Sequence, residues 1–511
     1  MTNPARVSMV LLLALSGVFS GACASGEADV VDGGLTAGDR TDQNDLPGSG
    51  ADANDDADQD DGESDSDSAG VEPDGSDSGG DPDYPDRAPM PPGGDPPEPV
   101  PPPTSDAGFG EQTLCEKLEY APCPADNDDS KLTHHEGLVP WAACRFELKD
   151  QKLWDDRALL LDSLSGSIPE IDVGDLAQDF DRLGTAITPE ETSHLAKLEV
   201  FDRAFRWQDV DFNDAAWMPQ GLSGTYDAFE DEAINGREMV AVSWYHNADI
   251  SGLVDRDEIV RIAFADVTNI ADGTVPYRHV LLVEPYDDGG KVNLKAPHLH
   301  AGGIAWVGRY LYVADTAKGL RVFDTSRIFE VSPDKDAIGY DAQTGKYHAY
   351  GYKYVLPQVG AYYLSGSSCW VRSSFVAVDN TSEPPSLITG EFHGTDIAGK
   401  LVRWPLDGEH LMATDPELGT TQASEIYFAQ ESDMQGALSI NGEWWMSSSG
   451  QSGADGRLYR TKERTPSAGY GWVVGPEDLM YSRKDGVLWG LNEFAKKRFV
   501  FAVDISAYPA L

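Results

Sequence analysis

An all-β chain of repeated four-stranded sheets is predicted here from three observations. First, His300 to Ile328, HAGGIAWVGRYLYVADTAKGLRVFDTSRI, sets three strand-like runs end to end with turns at Gly308 and Gly319. Second, weaker echoes of this unit begin near Gln220, Ser373, Gln435 and Glu477. Third, small residues open each unit while Tyr, Trp and Phe crowd its later strands. That gradient is expected where inner strands converge on an axis and outer strands fan apart. Together these features predict a five-bladed β-propeller, preceded by a small helical extension and a disordered acidic and Pro-rich tether. Radial closure protects the sheet edges.

The elements follow in chain order. Arg6, the apolar run Val7 to Phe19 and the small residues Ser20, Gly21 and Ala22 form a secretory signal over 1–22. Its 13 apolar residues are too few to span a bilayer. The string SGAC, ending at Cys23, resembles the lipobox of bacterial lipoproteins, although Ser20 stands where Leu is commonest. This resemblance implies lipidation of Cys23, an acyl anchor in the membrane and a place in the cell envelope, at the outer membrane or the cell surface. Ala22-Cys23-Ala24 also fits a small-x-small cleavage site, which would release the chain freely.

Residues 23–108 read as the tether. Ala24 to Gly108 carries 24 acidic residues against Arg40 and Arg87, too much self-repulsion and too little apolar surface to offset the entropy of ordering. Ala88 to Pro103 is a stiffer spacer. The run Asp55 to Asp67 invites a calcium-loop reading, but Asp61 stands where that loop needs Gly, so a solvated charge run is expected. Residues 109–511 hold 63 acidic and 35 basic residues, a field that repels phosphate backbones and anionic lipid. Nucleic acid is therefore excluded as an expected partner; a small molecule or a protein is not.

Four cysteines follow Cys23, and export places them in an oxidising compartment. Three pairings are open; Cys115 with Cys123 and Cys144 with Cys369 are the expected ones, the first closing a short loop and the second tying the extension to a blade. Within the extension, 109–214, Thr188-Pro189-Glu190-Glu191 reads as a capped helix start, followed at helical spacing by Leu195, Leu198 and Phe201 or Phe205. Residues 215–511 form the propeller. Between its units lie further strands: HVLLVEP from His279, YKYVLPQ from Tyr352, EIYFAQE from Glu425 and GYGWVV from Gly469.

The strings WMPQGLSG, RHVLLVEP, HAGGIAWVGRYLYVADT, GLRVFD, MQGA, GPEDL and LWGLNE, spread over Phe201 to Val503, resemble a family of uncharacterised secreted bacterial propeller proteins. YLYVADTAKGLRVFDTSRI is also similar to the LVIVD-type propeller repeat of bacterial surface proteins. The resemblance implies fold and export, and no catalytic residues.

Because antiparallel strands reverse, the start of each inner strand and the end of the next share one rim. Inner-strand starts offer Gln220, His300, Ser373, Gln435 and Glu477; second-strand ends offer His246, Asp315, Glu391, Ser448, Asn492 and Glu493. Such convergent polar groups predict a ligand-binding funnel, against the plainer reading of turn formers and solvated rim. A metal-dependent hydrolase of esters or lactones is the alternative function, with Glu477 and Asn492 holding Ca²⁺ and His300 as general base. The PED and LNE strings resemble, loosely, metal ligands of propeller lactonases, but only Glu477 among the inner-strand starts is acidic. His134-His135-Glu136 would point to opposite faces of a strand, which argues against a metal there. No G-x-S-x-G, P-loop or dinucleotide fingerprint occurs.

Overall fold

Five inner strands, Trp217–Gly224, Ile304–Val307, Phe375–Asp379, Met434–Ile440 and Pro476–Ser482, touch one another in a ring, the fifth returning to the first. The computed structural model describes residues 123–124 and 132–511, except Pro189; all belong to the second of two units, Gly79–Leu511. Cys23, the signal, the acidic run and Cys115 lie outside the described residues.

Each inner strand opens an antiparallel meander. Blade 1 adds Met239–His246, Val260–Asp266 and Thr274–Asp287. Blade 2 adds Tyr310–Asp315, Gly319–Asp324 and Tyr354–Leu364. Blade 3 adds Ser386–Gly390, Lys400–Pro405 and Glu425–Phe428. Blade 4 adds Glu443–Ser448, Asp455–Lys462 and Thr465–Val474. Asn441-Gly442 joins its first two strands with both residues at positive φ, the conformation a two-residue hairpin demands. Blade 5 has only Val487–Asn492 and Phe499–Asp504 from its own neighbourhood; its fourth strand is Phe201–Arg206, from the far side of the whole propeller. The ring is thus closed by pairing the end of the chain with a strand that precedes blade 1.

This closure corrects the expected helix. Thr188 and Glu191 do form the reciprocal cap, Glu191 Oε2 accepting from the Thr188 N–H at 2.8 Å and Thr188 Oγ1 from the Glu191 N–H at 3.2 Å. The helix nevertheless ends at Leu195 as a short 3₁₀ segment, because Phe201–Arg206 is needed as the closing strand. One backbone ladder outweighs a weak local preference. The longest helix among the described residues is instead Trp154–Ser165, whose Leu161 and Leu164 are buried and whose Trp154 ring fills the space a side chain at Gly360 would need.

Crowding at the hub is real. A Cβ on Gly303 would lie 2.2 Å from the Val376 nitrogen, and one on Gly436 2.6 Å from the Asp478 Cα. Glycine there lets neighbouring inner strands meet backbone to backbone. Trp244, Trp306, Trp404, Trp445 and Trp489, one from each blade, are fully buried, Trp306 on an inner strand and the other four farther out.

The disulfides also differ from expectation. Cys123 pairs with Cys369, with Cα atoms 5.3 Å apart, so neither Cys115–Cys123 nor Cys144–Cys369 forms. Cys144 is disulfide-bonded as well. Loop-closure cost grows only slowly with loop length, so spacing alone says little about pairing. No helix among the described residues is long and apolar enough to cross a membrane.

Candidate functional site

Strand register fixes one rim of the propeller. Trp217 pairs with His246, Met434 with Ser448 and Pro476 with Asn492, so inner-strand starts and second-strand ends lie side by side. At the opposite end of the axis the one-turn helix Thr225–Ala228, all four residues buried, packs against the inner strands of blades 1, 2 and 5.

A column of carboxyl groups runs between these ends. Asp478 lies deepest: its Oδ2 accepts from the N–H groups of Leu222 (3.1 Å) and Ile304 (3.3 Å), and its Oδ1 from that of Leu479 (3.0 Å). One side chain therefore pins the inner strands of blades 1, 2 and 5. Burial pushes its pKa well up, although the three N–H donors oppose this and the nearby Asp227 adds to it. Toward the helix end, Asp227 accepts from the Ser223 hydroxyl at 2.7 Å through Oδ2, while its Oδ1 has no protein partner. Burial raises this carboxyl too.

Toward the rim stands Glu477, 2 % exposed, its Oε1 buried without a hydrogen-bond partner. Burial, then the charges of Glu493 and Asp478, push its pKa well above the usual carboxylate range. Glu493, half-buried, accepts from Gln220 Nε2 at 3.2 Å. Burial lifts it to about 7, against the opposing pull of His300, Arg498 and Gln220. Arg498, fully buried, donates to the carbonyls of Glu493, Asp211 and Asp214, fixing the loop that carries Glu493. Tyr245 completes the mouth. Its ring lies 4.0 Å from that of His300, centroid to centroid, and burial followed by Glu493 and Glu477 raises its hydroxyl, keeping it a donor.

Gln220, His300, Glu477 and Glu493 thus meet at one mouth, and the remaining rim candidates go elsewhere. Asp315 accepts from Arg321 Nε at 2.8 Å inside blade 2. Glu391 accepts from Lys400 Nζ at 3.0 Å and from the Arg372 N–H at 2.9 Å; burial would raise it, but His393 and Lys400 outweigh that and leave it lowered. Both belong to internal ion pairs, so neither faces a ligand. Asn492 is spent on backbone, accepting from the Phe499 N–H at 2.9 Å and donating to the Val474 carbonyl at 3.4 Å. The expected Ca²⁺ pair of Glu477 with Asn492 therefore loses its amide. Gln435 sits half-buried at the bulge between Met434 and Gly436.

His246 faces away from the axis. Its Nδ1 lies 3.0 Å from the Arg256 carbonyl, and with Trp217, Arg182, Tyr350 and Tyr352 it lines a lateral groove of about 740 Å³. Burial lowers its pKa. Tyr245 is the mouth residue that the rim rule missed; it precedes His246 in MVAVSWYH, and alternation along the strand is the signal that separates the two faces. His134 and His135 lie in a turn, not a strand, so the expected opposed directions do not apply. Their imidazoles and the Glu431 carboxylate bring ligand atoms within 4.8 Å of one another, the only such triad of His, Cys, Asp or Glu among the described residues.

No protein-family description matches the chain, and no curated protein does. Similar solved structures include a β-xylosidase (11% identity, TM-score 0.28, covering 57% of this chain and 94% of that one). A GH43_1 enzyme from Xanthomonas citri gives 10% identity and TM-score 0.28 over 62% of this chain and 93% of its own. A gluconolactonase from Xanthomonas campestris gives 12% identity and TM-score 0.25 over 66% and 97%. These neighbours are enzymes. With overlap this low, the propeller rests on its own strand register and ring closure.

Proposed function

We propose that this chain is an exported, lipid-anchored propeller that binds a small polyhydroxylated ligand at the mouth of its axis. Export and the anchor rest on the signal and Cys23. The single observation that supports the ligand is the meeting of Glu477, Glu493, Gln220, Tyr245 and His300, with Glu477 Oε1 buried and unpartnered. The Glu477 carboxyl, whose proton burial favours, and the Tyr245 hydroxyl donate; a half-ionised Glu493 accepts; the Tyr245 and His300 rings offer flat apolar faces. That mixture suits hydroxyl groups on a ring better than it suits an anion, which the surrounding charge repels.

Calorimetric titration of the full chain with D-glucose, D-xylose and myo-inositol tests it. At least one sugar should bind with saturation, and Gln220→Ala or Tyr245→Phe should weaken it tenfold or more. No saturable binding, or binding indifferent to both changes, would remove this reading.

The position of Glu493 near 7 favours a second reading, in which it acts as acid and base in the hydrolysis of a sugar ester or lactone. Lactone turnover with a pH limb near 7, abolished by Glu493→Gln, is the outcome it requires.

A further inference from the structure

The turn at His134 and His135 is built like a metal site. His135 Nδ1 lies 2.8 and 3.0 Å from the two oxygens of Glu431, and the His134 ring is 5.5 Å from the His135 ring. Both imidazoles reach solvent while the Glu431 side chain is 1% exposed, so a fixed oxygen ligand sits beneath two accessible nitrogen ligands. Tyr459 stacks on His135 with centroids 5.3 Å apart and sets the plane of that ring.

The surrounding backbone holds the triad before any ion arrives. Gln430 clamps the turn with both ends of its amide: Oε1 accepts from the Thr133 N–H at 2.9 Å, and Nε2 donates to the Gly137 carbonyl. On the far side the Ser467 N–H donates to the His135 carbonyl at 2.8 Å. His135 and Gln430 both take positive φ, at 66° and 60°, an arrangement that non-glycine residues keep only when their surroundings impose it. The turn and the loop are thus separate chain segments, some 296 residues apart in sequence, held in one geometry.

We propose that His134, His135 and Glu431 bind one late first-row divalent cation, Zn²⁺ foremost. Two imidazoles and one carboxylate match the ligand preference of zinc, whereas Ca²⁺ asks for six or more oxygens. Ligands of a tetrahedral ion stand about 3.3 Å apart for bonds of about 2.0 Å, so His135 and Glu431, now hydrogen-bonded at 2.8 Å, separate by about half an ångström while the exposed His134 ring closes in from within 4.8 Å. The fourth position opens to solvent, where a water or a donor from another molecule completes the shell. Bound there, the ion would tie the segment entering the propeller to the loop between blades 3 and 4.

The test uses the untagged full chain, titrated with ZnSO₄ and separately with CaCl₂, with bound metal measured after dialysis. One equivalent of zinc and no retained calcium is expected, with a tetrahedral d–d spectrum when Co²⁺ replaces zinc. His134→Ala, at an exposed position, should weaken zinc at least tenfold without changing the fold, and Glu431→Gln should do the same. His298→Ala, at another exposed histidine, should leave affinity unchanged. Uptake that fails to saturate near one equivalent, or that survives His134→Ala and Glu431→Gln undiminished, overturns the site.

Discussion

Two buried acidic centres lie within the same propeller and are treated in opposite ways. Asp211 accepts from Arg182 at 2.6 Å, Arg261 at 2.9 Å and the Tyr277 hydroxyl at 2.5 Å, with His279 Nε2 at 3.1 Å. Burial alone would raise it, yet the Arg261 and Arg182 guanidiniums hold it far below the usual carboxylate range. His279 itself is depressed to about 3, first by burial and then by Arg261, and stays neutral. The axial carboxyls Glu477, Asp478 and Asp227 form no ion pair with a cation, and burial pushes all three upward, Arg483 opposing this only weakly at Asp227. A fully partnered buried charge is a staple; Glu477, unpartnered at Oε1 and biased by burial toward holding its proton, is a store beside the mouth. The contrast separates structural acids from those available to a ligand.

The largest expected effect comes from breaking the staple. Asp211→Ala leaves Arg261 buried without its anion and should cost about 3 to 5 kcal/mol in chemical denaturation. Glu477→Gln should not destabilise the fold at pH 8 and should raise its unfolding midpoint, since it removes a carboxyl whose pKa burial lifts above its unfolded value; equal losses for the two would break the comparison. Asp478→Ala comes next. It strands three buried N–H groups and should lower stability by about 3 kcal/mol, with a lowered unfolding midpoint as the readout.

The pH dependence sharpens the contrast. Below its ordinary value of 4.5, Glu493 is protonated in both folded and unfolded chains and contributes nothing. As pH rises, the unfolded chain releases this proton first, so stability falls between about 4.5 and about 7 and stays lower above, by at most roughly 3 kcal/mol. Glu493→Gln should flatten that slope in denaturation midpoints taken from pH 4.5 to 8. A slope equal to the parent's would place the stored proton elsewhere. The smallest loss tests another carboxyl, Glu232, which accepts from the Ser482 hydroxyl at 2.8 Å and the N–H groups of Arg483 and Lys484, with the Arg483 guanidinium 3.7 Å away. Ser482→Ala removes one donor of three and should cost about 1 kcal/mol in the same measurement.

Much of this fold was legible in residue order. The HAGGIAWVGRYLYVADT unit and its echoes mark all five inner strands, and at Gly221, Gly303 and Gly436 hub crowding explains the glycine that marks them. The closing strand was not legible. FDRAFR carries no strand signature strong enough to override a neighbouring helix cap, and its partner Phe499–Asp504 lies almost 300 residues away. At the rim, reversal of antiparallel strands identified which ends converge but not which side chains turn inward. Asp315 and Glu391 are claimed by Arg321 and Lys400 within their own blades, a pairing visible only once register is known. The histidine turn was misread for a similar reason: the strand assumed there begins only at Val139.

Blade 5 borrows its outermost strand from a segment made long before the rest of it. Phe201–Arg206 must wait, edge exposed, until Phe499–Asp504 arrives. A nascent or prematurely terminated chain that stops short of Phe499 therefore presents bare ladder groups on both sides of the missing seam, ready to recruit a foreign strand. Completion of blade 5, and with it of the ring, therefore waits on Phe499–Asp504 as its latch.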